Sequence, residues 1–311
     1  MREGQTTVRE TLVFDGVGVH SGKPARLTIH PSEAGSGIVF HRSDLPTAAF
    51  APALWSNVCA SELCTALRMG VRSIATIEHV SAALAGLGVD NALVEIDGPE
   101  APILDGSACE YVAAIDEAGL RTVSAPRRVL EVLKPVRVQR GAAFAELLPH
   151  AGGFALDVEI RFDHAAIGRQ RRTLTLDPDT FRREIARART FGFIKDVERL
   201  WQAGFARGAS LDNTVAIADE GVLNAGGLRF ADECVRHKML DAVGDLALAG
   251  APIRGLFRSR CGGHALNHAA LRALFADRSA FRLHEPSVLR RGPIRPALGD
   301  RRAPALAPDR S

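Results

Sequence analysis

Three short stretches of this chain carry side chains able to do metal or acid–base chemistry. The first is Val235-Arg236-His237-Lys238-Met239-Leu240-Asp241-Ala242-Val243-Gly244-Asp245. On a helix, His237, Asp241 and Asp245 fall at i, i+4 and i+8 and share one face, while Met239, Val243 and Leu246 point elsewhere and can pack. An imidazole and a carboxylate one turn apart suit a divalent metal; a solvent-facing His–Asp pair would look the same. The second is Glu78-His79, at the start of a helix that is otherwise small and apolar. Neighbours on a helix diverge by about 100°, so His79 can bind a metal while Glu78 reaches a water on that metal. A Glu favouring the helix dipole beside a structural His is equally open. The third is Cys261-Gly262-Gly263-His264-Ala265-Leu266-Asn267, where two glycines before a His either let the backbone approach a ligand closely or simply make a turn. Cys261 as a thiol nucleophile lacks an evident adjacent base.

Together these stretches offer two His and one Asp for a metal, plus a free Glu and a free His. Zinc hydrolases commonly use three protein ligands and keep one position open. Bound metal lowers the pKa of water towards ~7; a Glu then accepts its proton and a cationic His protonates a leaving amine. A two-His, one-carboxylate Fe(II) oxygenase would need two open positions and usually a cosubstrate, whereas a free Glu78 suits hydrolysis. A non-catalytic lipid or nucleotide-sugar binder would have no use for ligands, base and acid together.

The elements that must position these residues follow from periodicity and punctuation. Strands are expected at Thr11–Phe14, Ala25–His30, Gly37–Phe40 and Ala92–Ile96. A helix starts near Thr76 and ends at Gly86 and Gly88, and another spans residues 107 to 119. A break is expected near Ser124-Ala125-Pro126. Strands follow at Arg128–Leu133 and around 135–140, 143–148 and 154–162. Helices then run from Pro178 to about Arg189, from Asp232 to Leu248 and from His268 to Phe275. Strands followed by helices in each half point to an α+β fold of two similar domains, each a sheet layered with helices. The expected boundaries are 1–126 and 127–280.

Composition narrows the class. Hydrophobic residues make up 46% and charged residues 24%, enough for a sizeable core, while 5% aromatics argue against single-stranded nucleic-acid platforms. The net charge of +3 is concentrated at one end: residues 286–311 hold six Arg, two Asp and five of the 16 prolines, so the rest is about neutral. That stretch reads as a disordered, solvated tail. Cys59, Cys64, Cys109, Cys234 and Cys261 are irregularly spaced with no Cys-x-x-Cys, which suggests neither a disulfide framework nor a thiolate zinc site. The first ten residues lack an apolar export segment, and no run approaches the ~18–20 apolar residues of a bilayer span. A cytoplasmic protein, monomeric and without nucleic-acid partners, is expected.

At these same residues the sequence resembles the UDP-3-O-acyl-N-acetylglucosamine deacetylase family of lipid A biosynthesis, collinearly from about residue 6 to 278. The resemblance rests on Gly16-Val17-Gly18-Val19-His20-Ser21-Gly22, Leu63-Cys64-Thr65, Glu78-His79, Ala83-Leu84-Ala85-Gly86-Leu87-Gly88-Val89-Asp90-Asn91 and Pro102-Ile103-Leu104-Asp105-Gly106-Ser107-Ala108. It continues through Arg189-Thr190-Phe191-Gly192-Phe193, the His237–Asp245 segment and Gly263-His264-Ala265-Leu266-Asn267.

The resemblance implies zinc, with Fe²⁺ an alternative in the cell, held by His79, His237 and Asp241 in a cleft between the two domains. It implies Glu78 as general base, His264 as the cation that protonates the departing nitrogen, Asp245 as its orienting carboxylate, and Thr190 as a donor to the scissile carbonyl. Phe191 would pack on the sugar of the UDP-sugar substrate and Lys238 would meet its polar or phosphate side. Residues 194–216 would form a passage for the acyl chain, with Ile194, Val197 and Leu200 as walls and Ala203, Gly204, Ala206, Gly208, Ala209 and Ser210 leaving room; Phe193 is carried over as a further substrate contact. One departure stands out: Cys261 occupies a position, three before His264, where many relatives carry a basic residue, and Arg260 is the nearest substitute.

Overall fold

The computed structural model describes residues 4–284; the basic stretch 286–311 lies outside the described residues. The first half of the chain builds a five-stranded sheet in the order Leu12–Val17, Pro24–Pro31, Ala92–Ile96, Ile38–Arg42, Ala49–Pro52. Its strands bury alternate side chains, Leu12 and Phe14 on one, Ala25, Leu27 and Ile29 on the next, as a half-buried sheet requires. Ile38–Arg42 runs parallel to Ala92–Ile96. A parallel pair needs a long crossover, and this one carries α1 (Glu78–Leu87). The following helix α2 (Cys109–Ala118) packs on the same sheet, with Tyr111 against Phe14 at 4.7 Å between ring centroids.

The second half repeats the device. Its seven-stranded sheet centres on Ile253–Arg260, antiparallel to Ala143–Leu148 and parallel to Phe154–Arg161. The crossover from 161 to 253 includes two short helices, α3 (Pro178–Thr180) and α4 (Val197–Gln202), and the long α5 (Glu233–Ala247). Last comes α6 (His264–Ala276), packed on Val136–Arg140, Ala143–Leu148 and α5. The result is an α+β architecture of sheets layered with helices, and one continuous apolar cluster runs through both halves. No helix among the described residues is long and apolar enough to cross a membrane.

The two crossover helices, α1 and α5, pack directly on each other. Every residue of α1 except Ala85 is buried, so the helix has no solvent face, and Gly88 at φ 77° ends it in the left-handed conformation that favours glycine. Gly244 of α5 lies over the backbone of Glu78, and a Cβ there would overlap the Glu78 carbonyl. Backbone thus meets backbone at the point where the chemistry-bearing side chains begin.

Several expectations change. The helix expected from Pro178 to Arg189 is one turn, capped by Asp177 accepting the Thr180 N–H at 2.8 Å, then a π-type turn over Phe181–Ile185. It ends at Ile185, and the Arg189 N–H meets the buried Glu233 carboxylate at 3.0 Å instead of a helical carbonyl. The last helix starts one turn earlier than expected, at His264. The strand Leu120–Pro126, paired with Gly4–Val8, ends at the expected break, and the next strand is Val129–Val132.

Gly244→Ala tests the crossing. Helix propensity alone favours Ala by ~1 kcal/mol, whereas overpacking against fixed backbone costs about 1–3 kcal/mol, occasionally more. A fall of a few degrees in the thermal midpoint is expected. An equal or higher midpoint would show that the two backbones are not in contact.

Candidate active site

His79 on α1 and His237 and Asp241 on α5 converge in the interior, with 5%, 2% and 2% of their surfaces exposed. One ligand atom from each lies within 4.8 Å of the others. Asp241 Oδ1 is 3.3 Å from His237 Nε2 and 3.8 Å from His79 Nε2. The His237 Nδ1–H donates to the Ala188 carbonyl at 3.0 Å, so Nε2 presents a lone pair. Burial, reinforced by the neighbouring imidazole, pushes His79 down to about 3. Burial likewise holds His237 low, more than Asp241 lifts it; both rings are therefore neutral. Burial alone would raise the Asp241 carboxyl, but the bonded Lys238 ammonium outweighs it and keeps it ionised. A lone pair of His237 thus faces a carboxylate lone pair with no proton between them, an arrangement that a divalent cation relieves. Tetrahedral ligand atoms at about 2.0–2.1 Å from zinc stand about 3.3 Å apart, the spacing of the His237–Asp241 pair. The donors fit such an ion. Lys238 Nζ donates to the other oxygen, Oδ2, at 2.8 Å and leaves Oδ1 free.

A second cluster, Asp245, His264 and His268, also has metal-like spacing, but its bonding differs. Asp245 Oδ2 accepts the His264 Nδ1–H and the Asn267 amide, both at 2.8 Å. Its Oδ1 accepts the Thr65 hydroxyl at 2.5 Å. Each carboxylate oxygen already meets donors, so this cluster fixes an imidazole instead of waiting for an ion. His264 is pushed down by burial, yet the bonded Asp245 carboxylate, with Glu78 and Asp241 adding to it, raises it to about 9. It is a cation at neutral pH.

Glu78, 3% exposed, stands between the clusters. Its Oε2 accepts the Thr65 backbone N–H at 3.0 Å, and Oε1 lies 3.7 Å from His264 Nε2. Burial raises its carboxyl to about 8 against the pull of His264. A carboxyl that can gain a proton and an imidazolium that can lose one therefore face each other beside the triad.

The remaining expected positions divide. Phe191 approaches the triad, 6.4 Å from the His237 ring and 5.7 Å from Lys238 Nζ. Thr190 is anchored at both backbone ends, its N–H on Gly106 and its carbonyl under the Val215 N–H, each at 2.8 Å. The adjoining buried Arg189–Glu233 ion pair ties that strand start to α5. Phe193 packs instead on Phe162 and His164. Ile194, 43% exposed, and Val197 lie beyond it around the start of α4. Ala206 and Ser210 belong to a loop held against the Gly16–Gly22 turn through Arg207 N–H to His20 O (3.1 Å) and Gly208 N–H to Val19 O (3.0 Å). Arg260 is engaged by Glu159 at 3.5 Å, and Cys261 is exposed. A groove of about 780 Å³ lies behind the α1–α5 pair among Leu84, Leu87, Val129, Leu246 and Ile253, and contains none of these site residues. Sequence reading assigned nothing to His268 or Thr65. The spacing of His264 and His268, one turn apart, was the available signal for the first.

Comparison with known proteins gives a consistent match. The family model described as UDP-3-O-acyl N-acetylglycosamine deacetylase matches residues 5–276. The chain is 49% identical over 286 residues to proteins named UDP-3-O-acyl-N-acetylglucosamine deacetylase in Brucella ovis, Brucella abortus and Brucella melitensis. Each match covers 92% of this chain and the whole of the relative.

The bonding contrast between the two clusters gives a direct test. After dialysis against zinc, His237→Ala is expected to retain no stoichiometric metal, and His268→Ala to retain it, as read by elemental analysis. The opposite order would move the ion to the Asp245 cluster.

Proposed function

The chain belongs to the UDP-3-O-acyl N-acetylglycosamine deacetylase family, and on that premise we propose that it hydrolyses the N-acetyl amide of UDP-3-O-acyl-N-acetylglucosamine. The products are acetate and UDP-3-O-acyl-glucosamine, an early committed step of lipid A biosynthesis. The observation that carries the reading is the approach of Glu78 Oε1 to His264 Nε2, 3.7 Å apart beside the His79–His237–Asp241 triad.

His79, His237 and Asp241 would hold a divalent cation, zinc in this reading with Fe²⁺ acceptable to the same donors, which would supply Lewis acidity and lower the pKa of a water. Glu78 Oε1 takes the proton of that water while Oε2 stays held by the Thr65 N–H. His264 Nε2 then hands its proton to the departing glucosamine nitrogen. Its Nδ1–H, held by Asp245, dictates which nitrogen faces the substrate. Thr190 donates to the carbonyl oxygen as charge develops there. Phe191 packs on the sugar and Lys238 meets its polar side, while Phe193, Ile194, Val197, Ala206 and Ser210 line the acyl chain's path. The two sheet-and-helix halves act as domains 1–126 and 127–280 with the site in the cleft between them. Five unpaired cysteines and a nucleotide-sugar substrate fit a monomer working in the reducing cytoplasm.

Acetate release from UDP-3-O-acyl-N-acetylglucosamine, with acyl chains of graded length, is the defining assay; a metal-loaded protein that frees no acetate from any of them has another function. Glu78→Gln is expected to keep its metal and lose about 10²–10⁴ in turnover. If it loses metal instead, Glu78 is a ligand and the roles must be redrawn.

The pH profile follows from signs. The base works above its pKa and the acid below its own, so kcat/KM should rise with Glu78 ionisation and fall as His264 deprotonates. A bound cation favours the charged Glu78 and disfavours the charged His264, so both limbs move below the metal-free values of about 8 and about 9. Asp245→Asn removes the carboxylate that raises His264, so the alkaline limb should move to lower pH. An unmoved limb would assign it to another group.

A further inference from the structure

Thr65 is fully buried, lies in the Leu63-Cys64-Thr65 block, and enters the chemistry above only through its main-chain N–H. It contacts one proton-transfer group, Glu78, directly and the carboxylate partner of the other, His264. Its backbone N–H donates to Glu78 Oε2 at 3.0 Å, and its hydroxyl lies 2.5 Å from Asp245 Oδ1, 2.9 Å from His268 Nε2 and 3.3 Å from His264 Nδ1. Directions follow from inventory. An ionised Asp245 can only accept, and a threonine hydroxyl has a single hydrogen. The Thr65 O–H is therefore spent on Asp245, and His268 must donate its Nε2–H to Thr65 Oγ1. Burial keeps His268 neutral, which is consistent with that tautomer. Its Nδ1 is then a bare acceptor, and it is buried without a partner. The chain of donors runs His268 to Thr65 to Asp245, whose other oxygen accepts His264.

The local backbone is shaped for this contact. Leu63, two residues earlier, sits at φ 64°, a conformation costly for a leucine. The Thr65 carbonyl accepts the Ile77 N–H at 3.3 Å, joining the segment to the start of α1.

Resting on the deacetylase reading, we propose that Thr65 is a positioning residue for both halves of the proton transfer. Its main chain fixes the Glu78 carboxylate, and its hydroxyl, oriented by His268, fixes Asp245 and through it the His264 ring. Neither residue touches substrate or metal ligands in this assignment. Removing the hydroxyl should therefore lower kcat and leave KM and metal content alone.

Thr65→Val keeps shape and main chain and deletes only the hydroxyl. A kcat reduced roughly tenfold to a hundredfold is expected, the range for losing a supporting partner, with KM within about twofold of the parent on the scale of uniform binding. Thr65→Ser should restore most of the loss. In an Asp245→Asn background the Val substitution should cost little more, because both act on one ring. A Thr65→Val enzyme as fast as the parent, or a Ser variant as slow as Val, overturns the proposal. Should Thr65→Val not fold, His268→Leu and His268→Gln decide. The Gln amide can replace the Nε2–H donor and Leu cannot, so a slow Leu variant with a faster Gln variant supports the proposal, and equal rates refute it. An inert parent enzyme overturns the assigned reaction and this role with it; an active parent with an indifferent Thr65→Val variant overturns this role alone.

Discussion

The contact on which the rest depends is the crossing of α1 and α5. Each helix is the crossover of a parallel strand pair in its own half of the chain, so each is committed to its own sheet. They can approach only if one presents no side chain at the meeting point, and Gly244 over the Glu78 backbone meets that condition. His79 follows Glu78 directly, and Asp241 precedes Gly244 by one turn. The distances within the triad are therefore inherited from a backbone approach, not from flexible loops.

Burial then acts in opposite directions on neighbouring groups. It neutralises imidazoles and raises carboxyls, which is why His79 falls to about 3 while Glu78 climbs to about 8. His264 escapes because Asp245 is bonded to it, and its value rises to about 9. Similar residue types in one interior thus become metal-like donors, a proton acceptor and a proton donor according to their immediate partners. The two candidate metal clusters make the same point: spacing alone does not separate them, whereas counting donors against lone pairs does.

Much of this was legible in the chain. The spacing of His237, Asp241 and Asp245 and the adjacency of Glu78 and His79 are local, and helical geometry converts them directly into shared faces. What was not legible is non-local. Thr65 lies 180 residues from Asp245 and 203 from His268, and no periodicity announces such contacts. The helix expected to Arg189 failed for the same reason. Its expected start at Pro178 is where the helix begins, but it ends at Ile185, and Glu233, 44 residues on, takes the Arg189 N–H, a tertiary bond that local propensity does not announce. The pairing of Leu120–Pro126 with Gly4–Val8, at opposite ends of the first half, is non-local in the same way.

That non-local wiring also joins the two halves away from the triad. In the segment 203–210, smallness serves contact at Gly208. Gly208 meets the Gly18 carbonyl so closely that a Cβ would overlap it, and two backbone hydrogen bonds fasten Arg207 and Gly208 to His20 and Val19. The Gly16–Gly22 turn is in turn held by Glu100, which accepts the His20 and Ser21 N–H groups at 2.9 and 2.8 Å and the Thr76 hydroxyl at 2.8 Å. Thr76 lies two residues before Glu78. Arg207 and Gly208 of the second half are therefore fastened, through the first half's glycine turn, to the start of the helix that carries Glu78 and His79, so a loop far along the chain shares one reference point with the metal-like triad.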